Sequence, residues 1–187
     1  NLVFPKTAWP SDFRALTDLF KDDGLSPEQQ AEKVEEFFTE QLKGIEWLSN
    51  IEPDVQMIGV GGSFRNIFKI SKMVRKYPLD TVHNYNLPVE DFESIYDMIK
   101  VLDLDKKKKI KGLSTGRADI LPAALAVVKS FVHYMHFENF TIGGSGLREG
   151  IMFNQAMPIT MEKPISDILG YSLNSLLESG VEKQIVS

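Results

Sequence analysis

Two glycine turns in the chain share one design and could bind an anion. Each follows a short apolar run that predicts a buried strand, and each precedes a helix: residues 55–60 lead into Gly61-Gly62-Ser63, and residues 140–142 lead into Gly143-Gly144. Glycines at a strand-to-helix junction let the backbone turn tightly and approach a ligand closely. The free N–H groups and the positive dipole end of the following helix then favour a group such as phosphate.

Taken singly, a glycine turn between a strand and a helix is often purely structural, and neither turn matches the Walker A loop or the dinucleotide-binding fingerprint. The two turns gain meaning together, because the ligands of open α/β sheets collect at the carboxyl ends of the strands. We therefore predict a phosphate-binding edge to which six residues contribute: Gly59, Gly61, Gly62, Ser63, Gly143 and Gly144.

Three arginines, Arg65, Arg117 and Arg148, lie close to glycine turns in the sequence. A guanidinium suits bidentate contact with phosphate oxygens. A carboxylate follows two of these arginines closely, since Asp119 comes soon after Arg117 and Glu149 directly follows Arg148. Each pair is equally well interpreted as an internal ion pair, so both interpretations stay open. All five side chains are candidates for a phosphate site.

Other chemistries find little support in the sequence. The chain has no cysteine, which excludes thiolate catalysis and is compatible with the cytoplasmic location that we expect. His133 and His136 have a possible metal-ligand spacing, but no carboxylate cluster nearby in the sequence completes a site. The net charge of -5 argues against nucleic acid as a partner, and no apolar run is long enough for a membrane span.

The elements that must hold these residues follow from periodicity and turn signals. Ser26 and Gln29 can form a capping box at the start of a helix, and Pro88 precedes an acidic helix start. A long apolar helix is predicted after the loop at 112–116, with Pro122 in its first turn. Helices outnumber strands, and both clear strands lead through glycines into a helix, which indicates an α/β fold.

Four local predictions concern the remaining segments. We expect Ser63 to cap the helix after the first glycine turn, and residues 145–150 to form a second glycine-bracketed turn. A last helix is predicted from about residue 164 to residue 179 by its apolar spacing. The four lysines at 106–109 are interpreted as a solvated basic tip near a helix end, with contact to an anionic polymer as the alternative.

Several motifs together resemble the exopolyphosphatase/guanosine pentaphosphate phosphohydrolase family. They occur in the order of that family and cover roughly residues 25 to 155. They are IGVGGSFRNI at 58–67, YPLD at 77–80 with His83 and Tyr85 close behind, GLSTGRADI at 112–120 and GLREG at 146–150.

The resemblance implies an actin-like ATPase lobe of the acetate and sugar kinase, Hsp70 and actin superfamily, in which helices flank the mixed sheet of a ribonuclease-H-like core. It implies cleavage of phosphoanhydride bonds with Mg²⁺ in a cleft between two lobes. Inorganic polyphosphate or guanosine pentaphosphate would be the substrate. By the same resemblance, the turn at 59–62, the Arg-Ala-Asp motif with Arg117 and Asp119, and the motif with Arg148 and Glu149 belong to the binding site.

The catalytic glutamate, the first phosphate loop and the Asp-x-Gly-Gly-Gly-Ser loop of the family do not occur in this sequence. We therefore expect residues 1–187 to form one domain, the second lobe of a two-lobe hydrolase, with its own N-terminal lobe as a partner and no catalytic residue of its own. A homodimer through the apolar last helix is possible. The alternatives are a regulatory module that binds nucleotide or polyphosphate without catalysis and the lobe of a sugar kinase.

Overall fold

The computed structural model describes residues 13–21, 24–51 and 55–156, and for Leu147 and residues 153–156 it describes the backbone alone. The chain divides into two compact units, Asn1–Gly146 and Leu147–Ser187, which are described separately. The helix predicted at 164–179 lies outside the described residues. None of the described helices is both long enough and apolar enough to cross a bilayer.

The described residues form a mixed sheet of three strands together with α-helices and two short 3-10 helices, which confirms the α/β class. The strands are β1 Ile58–Gly59, β2 Tyr85–Pro88 and β3 Asn139–Ile142. The α-helices are α1 Phe13–Leu19, α2 Pro27–Lys43, α3 Gly62–Val74, α4 Val89–Lys100, α5 Leu104–Lys107, α6 Leu121–Tyr134 and α7 Leu147–Ala156. The 3-10 helices are Glu46–Asn50 and Thr115–Arg117.

The start of α2 confirms the predicted capping box. The Ser26 hydroxyl accepts a hydrogen bond from the Gln29 backbone N–H at 3.2 Å, and the Gln29 side chain accepts one from the Ser26 backbone N–H at 2.9 Å. Pro27 occupies the first helical position, where its missing N–H needs no partner. The apolar stripe of α2 is buried, and the helix packs against α6.

Helix α6 lies at the centre of the core, as its apolar sequence predicts. Leu125 and Val132 are fully buried, and α1, α2 and α4 all pack against this helix. Pro122 lies in the first turn, as predicted, where it removes no helical hydrogen bond. The loop that carries Arg117 leads directly into α6, so the most buried part of the fold anchors one end of that loop.

The sheet has the order β1-β3-β2, with β1 parallel and β2 antiparallel to β3. The sequence predicted β1 over residues 55–60, but only Ile58–Gly59 pairs as a strand. Strand β2 was not predicted. Only Tyr85 and Leu87 mark its buried face, which is too short a pattern for a period of two to be recognised.

Two predicted boundaries are wrong. Gly61 is the N-terminal cap of α3, and Ser63 lies inside the first turn of the helix, because the positive φ of Gly61 turns the chain before Ser63 is reached. Residues 147–150 begin α7 and do not form a turn. Leucine, arginine and glutamate all favour helix, so the helix starts directly after Gly146.

The lysine run is only partly the solvated tip that the sequence predicted. Lys106, Lys108 and Lys109 are exposed, but Lys107 is buried, with 7% of its surface exposed. Lys107 is the last residue of α5, and successive residues of a helix point in different directions. The short helix therefore turns one of four adjacent lysines towards the protein interior.

A partly buried polar network joins three helices. The Tyr96 hydroxyl of α4 donates a hydrogen bond to the Glu35 carboxylate of α2. The Lys129 ammonium of α6 pairs with the same carboxylate at 3.0 Å and lies 4.8 Å from the centre of the Tyr96 ring. Burial, followed by the hydrogen bond to Glu35, raises the pKa of Tyr96 well above its ordinary value, so this hydroxyl stays protonated and remains a donor.

We predict that Tyr96→Phe lowers the free energy of unfolding by about 1–2 kcal/mol, because it removes a partly buried hydrogen bond to a charged group. Tyr134→Phe is the matched control, since the Tyr134 hydroxyl has no hydrogen bond with any residue that the structure describes; its expected effect is below about 0.5 kcal/mol. Urea denaturation of both variants measures the difference, and equal losses would contradict this role for the network.

Candidate functional site

The two glycine turns lie side by side at one edge of the sheet, which confirms their predicted proximity. Strands β1 and β3 pair in parallel, with Gly59 opposite Ile142. The Gly143 N–H donates to the Gly59 carbonyl at 2.8 Å, so the hydrogen bonding continues from the strands into the turns. The two strands end at the same edge of the sheet, so the turns that follow them, residues 59–62 and 143–144, form one glycine-rich surface. We call this surface the glycine edge.

Gly61 allows α3 to begin at this edge. Its φ of 104° and ψ of -175° belong to a region that is almost restricted to glycine, and a Cβ there would meet no atom within 4 Å. The first hydrogen bond of the helix runs from the Arg65 N–H to the Gly61 carbonyl at 3.1 Å. The preceding amides of the first turn have no acceptor within the helix, and they can bind an anion.

The guanidinium of Arg117 lies directly against Gly62, the first residue of α3. A Cβ on Gly62 would lie 2.4 Å from the Arg117 Cζ and 2.5 Å from each terminal guanidinium nitrogen. The side chain of Arg117 is exposed and makes no ion pair or hydrogen bond with any described residue. The structure therefore joins a helix N-terminus and an uncommitted guanidinium at one point, from segments far apart in the chain.

The remaining glycines of the two turns make room for side chains of the protein itself. A Cβ on Gly59 would lie 2.2 Å from the Phe64 ring, and a Cβ on Gly143 would lie 2.9 Å from the side chain of Val60. A side chain at position 59 would thus overlap the Phe64 ring, whereas one at position 143 would only require the exposed Val60 side chain to move. At Gly61, by contrast, no atom lies within 4 Å of the position that a Cβ would take, so the backbone there is open to a ligand.

His83 joins the second turn to the loop before β2. The Gly144 N–H donates to the His83 Nδ1 at 3.3 Å. A neutral ring that accepts at Nδ1 carries its proton on Nε2, and His83 is exposed. His83 thus presents an N–H donor near the glycine edge. Sequence reasoning placed it in a motif but not in the site, because only the tertiary contact brings it to Gly144.

Three other candidates near the junction of Arg117 and Gly62 have different environments. Ser63 is buried inside the first turn of α3, and Arg65 is exposed without a partner among the described residues. Asp119 pairs with Arg14 of α1 at 3.1 Å and accepts from the Ile120 N–H at 3.0 Å. The ion pair that the sequence left open between Arg117 and Asp119 is therefore not formed.

Arg148 and Glu149 lie in the first turn of α7, in the second compact unit. Arg148 is exposed and Glu149 is partly buried. An acidic residue in the first turn of a helix stabilises the positive end of the helix dipole, so Glu149 has a structural role in α7. Their assignment to a phosphate site stays a prediction.

Asn66 is a polar residue of the site region that sequence reasoning did not select. It lies one turn after Gly62, on the same face of α3, and is 5% exposed. Its Nδ2 is buried and has no hydrogen-bond partner in the part of the chain that the structure describes. In the sequence, the spacing of four residues between Gly62 and Asn66 was the one sign that both lie on the same face of a helix.

The described residues contain no cluster of three His, Cys, Asp or Glu side chains that could hold a metal ion. His133, half of the possible metal pair, is hydrogen-bonded to Glu93 of α4. His136 follows the helix with a φ of 56°. Among the described residues, the groups at the junction that suit an anion are the Arg117 guanidinium and the first backbone amides of α3.

Residues 13–158 match the Ppx/GppA phosphatase family. The match covers more than half of the chain, and the chain belongs to this family. Its range includes both glycine turns, the loop with Arg117 and the start of α7, which are the motifs on which the resemblance rested. A comparison with curated proteins finds no significant match.

Two solved structures of family members show the same fold. An exopolyphosphatase from Cytophaga hutchinsonii ATCC 33406 is 18% identical, with a TM-score of 0.70 over 81% of this chain and 49% of its own. A Ppx/GppA family member from Aquifex aeolicus is 19% identical, with a TM-score of 0.64 over 80% of this chain and 47% of its own. The likeness confirms the actin-like fold, and the chain spans about half the length of these solved relatives.

We predict that Gly61→Ala lowers the free energy of unfolding by about 1–3 kcal/mol, because alanine does not readily adopt this backbone conformation. Gly116→Ala is the matched control. A Cβ on Gly116 also meets nothing within 4 Å, but its φ is not positive, and its effect should be below about 0.5 kcal/mol. Urea denaturation distinguishes the two, and an unchanged stability of Gly61→Ala would show that the turn is not constrained.

Proposed function

We propose that this chain is the phosphate-binding second lobe of a phosphoanhydride hydrolase. The enzyme would release the terminal phosphate of inorganic polyphosphate or convert guanosine pentaphosphate to the tetraphosphate. The observation that carries the proposal is the Arg117 guanidinium against Gly62, at the N-terminus of α3. Membership of the Ppx/GppA phosphatase family supports the same class of substrate.

The proposed role of the lobe is electrostatic. Phosphoryl transfer depends mainly on positioning and on stabilising charge that is spread over the phosphoryl oxygens. The first amides of α3 and the Arg117 guanidinium converge from two directions, so they can contact different oxygens of one phosphate group. The Nε2–H of His83 offers a further donor for a neighbouring phosphate at the other glycine turn.

The chemical step itself requires groups outside this chain. In the proposed mechanism a carboxylate of an N-terminal lobe orients a water molecule for in-line attack on the terminal phosphoryl group. The family resemblance implies Mg²⁺ as the cofactor, but the described residues supply no carboxylate cluster for a metal. The part assigned to this chain therefore uses only its amides and its arginine, and it closes the phosphate site from one side.

A regulatory module that binds polyphosphate or nucleotide without hydrolysing it is the second candidate. The same geometry supports it, since the Arg117 and α3 junction binds an anion whether or not a water is activated nearby. The hydrolase and the regulatory module differ in whether the N-terminal lobe supplies a group that activates water. Phosphate release by the two-lobe protein supports the hydrolase, whereas binding of guanosine pentaphosphate without turnover supports the regulatory module.

We predict that Arg117→Met, in a protein that joins this chain to its N-terminal lobe, lowers kcat/KM for long-chain polyphosphate by about 100-fold, the usual cost of losing one preorganised transition-state donor. Phosphate release with Mg²⁺ measures this effect. The same assay on the chain alone should show no turnover, because the groups that activate water are not part of it.

Lys33→Met is the matched control for this loss of charge. Lys33 is exposed on α2 and has no ion pair with a described residue, so its substitution should leave kcat/KM within about twofold, as expected for a surface change away from the site. Equal activity of the Arg117→Met and wild-type proteins would contradict the proposed role of Arg117. Turnover by the isolated chain would contradict the division of labour between the lobes.

A further inference from the structure

One face of α3 carries a row of cations that begins near the glycine edge. Arg65, Lys69 and Lys72 follow one another at spacings of four and three residues, so they lie on the same face of the helix. Arg65 and Lys69 are exposed, and Lys72 is partly buried. The row extends over about 10 Å of the helix axis. It starts about one turn after Gly62, against which the Arg117 guanidinium lies.

The loop before α6 runs alongside this row. A Cβ on Gly112 would lie 3.0 Å from the Lys69 Cβ, and Arg117 of the same loop reaches Gly62. These two contacts are about two turns apart along α3, so the loop follows the helix from the middle of the row to its start. Lys111 directly precedes Gly112 and is exposed, and it therefore adds a further cation close to Lys69.

Few carboxylates balance these cations. Lys69 and Lys111 form no ion pair with any residue that the structure describes, whereas Lys72 pairs with Asp80. The hydrogen bond from Lys72 and, to a smaller extent, the charge of Lys69 hold the pKa of Asp80 below its ordinary value, so both lysines act on the same carboxylate. The chain as a whole has a net charge of -5. The positive surface along α3 is therefore a local feature, and such a surface attracts anions.

We infer that these four residues, Arg65, Lys69, Lys72 and Lys111, bind the part of a polyphosphate chain that extends beyond the Arg117 and Gly62 junction. We call them the cationic row. The inference rests on the proposed function and narrows its substrate to long-chain polyphosphate. Every unit of that polymer carries negative charge, so successive units can contact successive cations of the row. The phosphates of guanosine pentaphosphate are divided between two positions of a ribose, and they cannot follow the row in this way.

The test compares the dissociation constants of long-chain polyphosphate and tripolyphosphate for the two-lobe protein, measured without Mg²⁺ at several concentrations of sodium chloride. Lys69→Gln combined with Lys111→Gln should weaken binding of the long chain by about three- to tenfold and leave the affinity for tripolyphosphate within about twofold. The logarithmic dependence of long-chain affinity on salt should become shallower by about 0.7 for each lost cation, as for a single-stranded polyanion. Glutamine keeps the Cβ that lies next to Gly112, so the packing of the loop is preserved.

Lys33→Gln combined with Lys43→Gln is the matched control, because it removes the same charge from exposed positions of α2 and should change neither ligand's affinity. Arg117→Met tests the proposed function separately: it should weaken both ligands, and an unchanged affinity for tripolyphosphate would contradict the phosphate site at the junction.

Four results would overturn the cationic row itself. They are equal losses in the two double variants, wild-type affinity and salt dependence in the Lys69→Gln, Lys111→Gln protein, equal losses of that protein for tripolyphosphate and the long chain, and tighter binding of a single-stranded oligonucleotide of equal charge than of polyphosphate.

Discussion

The parallel pairing of β1 with β3 is the constraint on which the site depends. Hydrogen bonds from Thr141 to Met57 (2.9 Å) and from Gly143 to Gly59 (2.8 Å) bring two glycine turns to the same edge, although they are far apart in the chain. The side chains of a strand alternate between its faces, so a shift by one residue would reverse them. Such a shift would also separate Gly143 from the Val60 side chain, and the edge would lose its shape.

Glycine serves three different purposes at this edge, and they explain what the site can do. At Gly59 and Gly143 it leaves room for the side chains of Phe64 and Val60, and at Gly61 it permits the backbone turn that starts α3. At Gly62 it admits the Arg117 guanidinium. The contact at Gly62 connects fold and function. Helix α6 anchors the loop of Arg117 in the core, while the exposed guanidinium can bind an anion.

The sequence predicted best those features that depend only on residues close together in the chain. The capping box of α2, the position of Pro122 and the glycine turns after the strands depend on local backbone chemistry. The contact of Arg117 with Gly62 and the burial of Lys107 depend on tertiary packing, which no local pattern contains. Lys107 was not distinguished from its exposed neighbours because all four residues of the run are lysines. Strand β2 has only four residues, which is too few for an alternating pattern to be recognised.

The most direct measurement of the central claim is a double-mutant cycle between Gly62→Ala and Arg117→Met, read as the dissociation constant of a non-hydrolysed polyphosphate analogue bound to the two-lobe protein. The account predicts strong coupling: alanine displaces the guanidinium, so each substitution weakens binding alone and the second adds little to the first. Losses that simply add, or a Gly62→Ala protein with unchanged affinity, would contradict the claim that these two residues form one phosphate site.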